Sequence, residues 1–336
     1  MLHKNIPCCY FPCTIVFVDD NKNFLNSLKL ELDEKTAFYH FFDQPMKALQ
    51  FLNKENSSPS FLNRCLTYPD GTEFDHCMIN VSIPRIHHEI YNQQRFQEVS
   101  VVVVDYAMPG MTGLEVCQQL NLPHVKTVLL TGEADETIAI NAFNEGLISY
   151  FIRKDDINFG TKLNQALADL QRQYFIDLSE VIMRSINTDS QHASILNEPA
   201  FINYFNKIWK ELDIQECYLL EQAGSFLLID QKCKLHWLLV NSEDLLESFA
   251  EYAEDSPQET PAFVREALKN REQLVYFYNE TNVHADPGYL QKYLYPVTCH
   301  IEGHRVYHCA LILKMRSPCF KHEGIEFSDT YTGASL

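Results

Sequence analysis

Val99-Ser100-Val101-Val102-Val103-Val104-Asp105-Tyr106-Ala107-Met108-Pro109-Gly110-Met111-Thr112-Gly113 is the stretch on which the fold turns. Four consecutive valines suit a strand with both faces covered, as central parallel strands are, better than a half-exposed strand of alternating polarity. The run stops on a carboxylate, Asp105, and a Pro-Gly turn follows. A parallel strand that ends on an acid and then turns into a helix puts that acid at its carboxyl end. In open α/β sheets the chemistry sits there.

Four more runs of the same kind lie around it: Thr14–Val18, Ala37–Phe42, Thr127–Leu130 and Ser149–Ile152. Helical stretches alternate with them at Asn23–Leu32, Pro45–Lys54, Leu114–Leu120 and Glu136–Glu145. Repeated strand-then-helix units predict an α/β, doubly wound, flavodoxin-like domain with a five-stranded parallel sheet. Asp19 and Asp20 follow the first strand, Thr131 ends the fourth and Lys154 follows the fifth. The fold would gather these with Asp105 into one pocket. Three carboxylates there need a cation, and hard oxygen ligands with few fixed donors suit Mg²⁺, which also binds phosphate. A carboxylate can act as nucleophile and form an aspartyl phosphate. A hydroxyl and an ammonium can then meet the phosphoryl oxygens. Taken alone, an Asp-Asp pair after a strand is often only a helix cap; five positions in order on the right elements say more.

Val16-Phe17-Val18-Asp19-Asp20, Val104-Asp105 through Gly113, Thr131-Gly132 and Arg153-Lys154 together resemble the receiver domain of two-component response regulators. The resemblance implies Mg²⁺ held by Asp19, Asp20, Asp105 and Ala107, and phosphorylation of Asp105 by a sensor histidine kinase. It makes Thr131 the hydroxyl that reads the phosphoryl group, Lys154 the ammonium that pairs with it, and Phe151 the switch aromatic beside Thr131. Ala107 and Glu133 fall where residues tuning the lifetime of the phosphoryl group are found. Two features depart from the pattern. An insertion of about residues 56–98 separates Asp20 from Asp105, and Asp155 stands where a proline is common after the lysine. Arg153 is therefore an alternative to Lys154, although the spacing from Gly146 favours the lysine.

Composition sets outer limits. The 336 residues are 46% hydrophobic and 21% charged, too many for one small core, so two domains are expected. The net charge of -18, from 27 basic and 45 acidic residues, repels a phosphate backbone, and no Lys/Arg stripe offsets it. Direct DNA binding is disfavoured. No apolar run reaches the roughly 18 residues of a membrane helix. The start, Met1 to Val18, has a short apolar run at Cys13 to Val18 that meets Asp19 and Asp20 and lacks a small-residue cleavage site; that run reads as a buried strand, so a cytoplasmic protein is expected. The 11 cysteines are scattered without a CxxC pair, and Cys8, Cys9, Cys13 and His3 match no standard metal site. Reduced structural thiols are the expectation. Ser57-Ser58-Pro59 and Pro69-Asp70-Gly71 mark turns in the insertion, and Ile83–Gln93 reads as a helix. Its His87-His88-Glu89 reads as a solvated or partly buried face, because adjacent histidines point apart.

Beyond the sheet, Thr161–Ile186 is one long helix with Leu163, Leu167, Leu170, Tyr174, Leu178, Val181 and Ile182 in a stripe. Such a stripe is either core-facing or a dimer-forming signalling surface. A linker and a helix at Ala200–Leu212 follow. Then come strands at Ser225–Ile229 and Leu235–Val240, helices at Glu243–Glu254 and Pro261–Lys269, and strands at Leu274–Tyr278, Leu294–Ile301 and Arg305–Leu313. This order resembles a PAS-like α+β domain. The aromatic residues Tyr276, Phe277, Tyr278, Tyr289, Tyr293 and Tyr295 read as strand core before pocket lining. The expected domains are a receiver at 13–160, signalling helices at 161–212, an output domain at 213–318 and a tail at 319–336. The whole chain is similar to the Lqs-type quorum-sensing response regulators of Legionella, given the insertion and the absence of a helix-turn-helix. No GGDEF-like, EAL-like, HD-type or Ser/His/Asp arrangement marks a classical enzyme. The output is read as a homodimerising protein-interaction module, with a DNA-binding or small-ligand-binding transcriptional effector as the alternative.

Overall fold

A computed structural model of the chain describes residues 5–55, 60–67, 80–132, 136–186, 195–255, 260–277 and 290–313. They form two compact units, one within residues 10–188 and one drawn from residues beyond 188 together with the start of the chain up to Cys9.

In chain order, the first half contains β1 (Cys9–Tyr10), β2 (Thr14–Val18), α1 (Lys22–Glu31), β3 (Phe38–Phe42) and α2 (Pro45–Glu55). The insertion follows, with α3 (Phe61–Cys65), the short pair β4 (Leu66–Thr67) and β5 (Asn80–Val81), and α4 (Ile83–His88). Then come β6 (Val99–Asp105), α5 (Gly113–Gln118), β7 (Lys126–Thr131), α6 (Glu136–Asn144), β8 (Tyr150–Arg153) and α7 (Phe159–Ile186). The five-stranded sheet has the order β3-β2-β6-β7-β8 and every pairing in it is parallel, as the unbroken apolar runs require.

Alternation along the strands sorts the two cores. Ile15, Phe17, Val101, Val103, Val128 and Leu130 face Leu25 and Leu28 of α1 and Leu163 and Leu167 of α7. Val16, Val18, Val102, Val104 and Leu129 face Leu49 and Leu52 of α2, Val116 of α5, and Ala139 and Ala142 of α6. Each of the four fully buried valines of β6 contributes on the order of 2 kcal/mol of apolar burial. The stripe of α7 is accordingly core-facing. Leu163, Leu167, Tyr174, Leu178 and Ile182 are buried, and Tyr174 donates to Glu98 at 2.8 Å. The dimer reading of that stripe is thereby corrected.

The insertion departs from expectation in two ways. The helix at Ile83–Gln93 ends at His88 and continues as 3₁₀ turns at Glu89–Tyr91 and Gln93–Gln97. Its His87-Glu89 face is not solvated: both side chains are buried, and Arg64 grips Glu89 with Nε and Nη2 each at 2.9 Å. Arg64 also reaches Glu98 at 3.4 Å, and burial pushes the Glu98 carboxyl above its ordinary range. The two turn motifs at 57–59 and 69–71 lie outside the described residues.

The second unit holds α8 (Pro199–Glu211), β9 (Ile214–Leu219), β10 (Phe226–Asp230), β11 (Leu235–Ser242), α9 (Glu243–Asp255), α10 (Ala262–Lys269), β12 (Gln273–Val275), β13 (Leu294–Pro296), β14 (Cys299–Glu302) and β15 (Val306–Ile312). Its main sheet has the order β1-β9-β10-β11-β15-β14, antiparallel from β9 onward. The β10–β11 hairpin turns where expected: Asp230 Oδ1 accepts from the Lys232 and Lys234 amides, and Cys233 takes φ 55°. Two strands, β1 and β9, were not anticipated. The expected strand at 294–301 is two, the chain changing partners after Val297, whose amide donates to the Glu272 carbonyl while the Thr298 amide donates to the Cys309 carbonyl. Its first part pairs with β12 in a separate two-stranded sheet, and its second pairs with β15. The aromatic residues pack on one another, Phe277 lying 5.1 Å from Tyr293 and Tyr276 5.9 Å from Trp237; Tyr278 and Tyr289 fall outside the described residues.

Candidate functional site

Asp19, Asp20 and Asp105 meet at the carboxyl end of the parallel sheet, with one oxygen of each within 4.8 Å of the others. The β2–β6 register brings this about, since Val18 stands opposite Val104 and the next residue of each strand is an aspartate. Neither Asp19 nor Asp20 caps α1. That role falls to Asn21, whose Oδ1 accepts from the Asn23 and Phe24 amides, leaving the pair ahead of it free for other work. Asp19 Oδ1 accepts from the Asn21 amide at 2.9 Å, which fixes the carboxylate's orientation.

Lys154 closes the cluster. Its Nζ lies 2.6 Å from Asp19 Oδ2 and 2.6 Å from Asp105 Oδ1, and 4.5 Å over the Phe24 ring. The Lys154 amide donates to the Thr131 carbonyl at 3.0 Å, tying the end of β8 to that of β7. Arg153 points elsewhere, pairing with Asp155 at 2.7 Å and Glu136 at 3.7 Å. Of the two basic residues, Lys154 is therefore the one among the carboxylates. Among the described residues no hydrogen bond ends on Asp105 Oδ2.

The charges adjust to this crowding. Burial raises the Asp105 carboxyl above its ordinary range; Lys154 pulls it down and the charges of Asp19 and Asp20 push it up further. For Lys154 burial works against the ammonium, but hydrogen bonds and charge from Asp105 and Asp19 outweigh it and hold the group above its ordinary value. The donor set fits a hard divalent cation: three carboxylates, one of them exposed, with a single ammonium between them. Ala107 is exposed just past Asp105, and its only donor is its backbone carbonyl.

Thr131 ends β7 fully buried, and its Oγ1 has no hydrogen-bond partner among the described residues. A buried hydroxyl without a partner is uncommon and marks a place where an acceptor is expected. Phe151 is half-buried on β8 and meets Phe143 of α6 edge-on at 6.5 Å. Glu133 lies outside the described residues. Two residues that support the site were not singled out from sequence. Phe24 lies beneath the Lys154 ammonium, and a Cβ on Gly113 would come 2.4 Å from the Asp105 carbonyl oxygen. That glycine lets α5, capped by Thr112 in a capping box with Glu115, start directly against the strand that carries Asp105.

The family model described as "Response regulator receiver domain" matches residues 75–158, a stretch that contains Asp105, Thr131 and Lys154. Asp19 and Asp20 lie ahead of it, beyond the insertion. A solved structure of the Legionella pneumophila response regulator LqsR is 34% identical, with a TM-score of 0.75 over 93% of this chain and 91% of that one. An adenylate cyclase from Rhodopirellula baltica is 24% identical with a TM-score of 0.36, covering 53% of this chain and 99% of its own. A response regulator receiver domain protein from Clostridium thermocellum is 17% identical with a TM-score of 0.33, covering 50% and 98%. A comparison with the curated proteins gave no match.

The likeness at one third identity over nearly the whole length settles the class: the chain belongs to the response regulators, as a member with a receiver domain, and not to the classical enzymes. Within that family it is similar to LqsR in both halves, since the match extends well past the receiver. Among the described residues no helix is long and apolar enough to cross a membrane.

Proposed function

We propose that this response regulator takes a phosphoryl group from the phosphohistidine of a sensor kinase onto Asp105, and that Asp19, Asp20, Asp105 and the Ala107 carbonyl hold Mg²⁺ while it does so. The observation that carries the reading is the position of Lys154, 2.6 Å from both Asp19 and Asp105 in a cluster of three carboxylates. When bound, the cation supplies the positive charge that lets these carboxylates share space with a phosphate. Asp105 Oδ2 attacks phosphorus while Lys154 keeps Oδ1 oriented and later pairs with the phosphoryl oxygens. Thr131 Oγ1 turns its hydroxyl to the new group, and the Phe151 ring follows into the space beside it.

That movement reaches the surface at α6 and β8. Ile140, Phe143 and Tyr150 there are 42%, 47% and 43% exposed, an apolar face that supports homodimerisation of the phosphorylated form. Functionally we divide the chain into a receiver at 13–160, connecting helices at 161–212, an output domain at 213–318 and a tail. The output domain is PAS-like in placing two helices along the chain between β11 and the β14–β15 pair of its antiparallel sheet, and it acts on proteins in the cytoplasm, not on DNA, as part of quorum sensing. The net charge of -18 supports that choice over a nucleic-acid partner.

Labelling with an acyl-phosphate donor and Mg²⁺ tests the reading. Asp105→Asn is expected to lose the alkali-labile phosphoryl group while keeping its circular dichroism spectrum. Undiminished alkali-labile labelling of that variant would place the acceptor elsewhere.

A further inference from the structure

A second reactive group lies in the other unit. His300 on β14 and His308 on β15 are paired residues of the antiparallel ladder, with their Nδ1 atoms 2.9 Å apart. His308 is buried, and its Nε2 meets Glu243 Oε2 at the start of α9. The other oxygen of that carboxylate accepts from Arg271 Nε at 2.7 Å, and the Nη2 of the same guanidinium lies 2.7 Å from it as an ion pair. Hydrogen bonds from Arg271 and then His308 hold the Glu243 carboxyl below its ordinary range, so it is an ionised group that only accepts.

With both imidazoles neutral, the hydrogen bonds assign their protons. An accepting Glu243 requires that His308 Nε2 carry a proton and donate it. A neutral His308 then has a bare Nδ1, which accepts. The partner 2.9 Å away, His300 Nδ1, must be the donor. A neutral ring with its proton on Nδ1 has an open lone pair on Nε2. His300 is exposed on the edge strand of the sheet, and among the described residues nothing is hydrogen-bonded to its Nε2. Asn241, the neighbour of His308 on β11, does not compete, as its amide is committed to the Val240 carbonyl and the Val275 amide.

We propose that His300 is a second phosphoryl acceptor of this chain, using Nε2 as the nucleophile and the His308–Glu243 pair to stabilise the charged ring. When Nε2 attacks an acyl phosphate, the N–P bond forms as the O–P bond breaks, and the electron pair leaves with the carboxylate. With phosphoramidate the donor's own P–N bond breaks as the new one forms, and its already protonated nitrogen leaves with the electron pair as ammonia. The ring becomes cationic, and its Nδ1 proton lies on a hydrogen bond backed by an anion, the arrangement that stabilises a developing imidazolium. His308 and Glu243 are positioning residues here; His300 alone touches phosphorus. The proposal takes its substrate class from the phosphoryl-transfer reading but needs none of the residues around Asp105.

The full chain incubated with phosphoramidate tests it. Acyl phosphates are destroyed by alkali, whereas phosphohistidine survives alkali and is lost in acid, so the two sites read separately. Asp105→Asn is expected to retain one alkali-stable, acid-labile phosphoryl group that maps to His300, and His300→Gln to lose it while keeping the alkali-labile one. Glu243→Gln is expected to slow His300 labelling about tenfold and to shift the nitrogen-15 resonance of His300 Nε2 away from the unprotonated position. Absence of the alkali-stable group from Asp105→Asn, or its persistence in His300→Gln, overturns the proposal. Loss of only the alkali-labile group from wild type would instead count against the Asp105 reading.

Discussion

Replacing Lys154 by methionine keeps most of the side-chain volume and removes the one ammonium between Asp19 and Asp105. Those side chains are 2% and 10% exposed, and that of Lys154 26%, so the pair is largely shielded from water. Two carboxylates within 4.8 Å repel by about 3 kcal/mol at an effective dielectric of about 20. Breaking a buried pair costs about 3–5 kcal/mol, and partial exposure of the lysine brings the expected loss to about 3 kcal/mol at neutral pH. The loss depends on pH with a definite sign. The folded Asp105 carboxyl already lies above its unfolded value, and Lys154 is what pulls it down, so the variant raises it further. The native state then holds a proton that the unfolded chain has released, and stability falls as pH rises from the unfolded value through the raised one. Hydrogen exchange of the β6 amides without divalent cations, at about pH 5 and about pH 7.5, reads this as a deficit that grows with pH. Addition of Mg²⁺ is expected to narrow it. A deficit equal at both pH values, or none near neutrality, would refute the electrostatic account of the cluster.

Gly113→Ala places a Cβ 2.4 Å from the Asp105 carbonyl oxygen, so a loss of about 1–3 kcal/mol by thermal unfolding is expected, along with weaker Asp105 labelling. Thr131→Val exchanges a buried hydroxyl without a partner for a methyl of the same shape, so stability is kept within about 1 kcal/mol, whereas the shift of Phe151 on adding beryllofluoride and Mg²⁺ is lost, as fluorine-19 NMR of a fluorinated Phe151 would record. Burial lowers His87 from 6.5 to about 4, so the folded state keeps it neutral. Its stabilisation is present above pH 6.5 and lost as pH falls toward 4; His87→Phe should flatten that slope in urea titrations by up to about 3 kcal/mol.

The parallel sheet was legible because its strands are buried on both faces, which leaves continuous apolar runs such as Val101 to Val104. The site was legible because each of its polar residues ends or follows a strand, so one-dimensional order translated directly into one pocket. Strand β9 escaped notice for the opposite reason. Gln215 and Glu216 interrupt its pattern, and the buried Glu216 accepts from Tyr218, two residues on, a partnership that hydropathy cannot register. The Arg64 network with Glu89 and Glu98 was equally hidden, since its members lie on separate pieces of the insertion and only folding makes them neighbours. The stripe of α7 was readable as apolar but not as to what it faced. Amphipathicity gives a direction, and only the sheet beneath it gives the partner.

The border strand β1 is contributed by the opening of the chain to a sheet whose other members begin at Ile214, the Leu219 amide donating to the Cys8 carbonyl at 2.7 Å. A nascent polypeptide therefore must keep this short ribbon waiting through synthesis of the entire first unit before its mate exists. An excised fragment starting near residue 189 would carry a raw flank on β9, bristling with unmet amides and prone to self-association. Supplying residues 5–10 in trans, or grafting them behind Ile312 by permutation, is the way to make that half stand by itself.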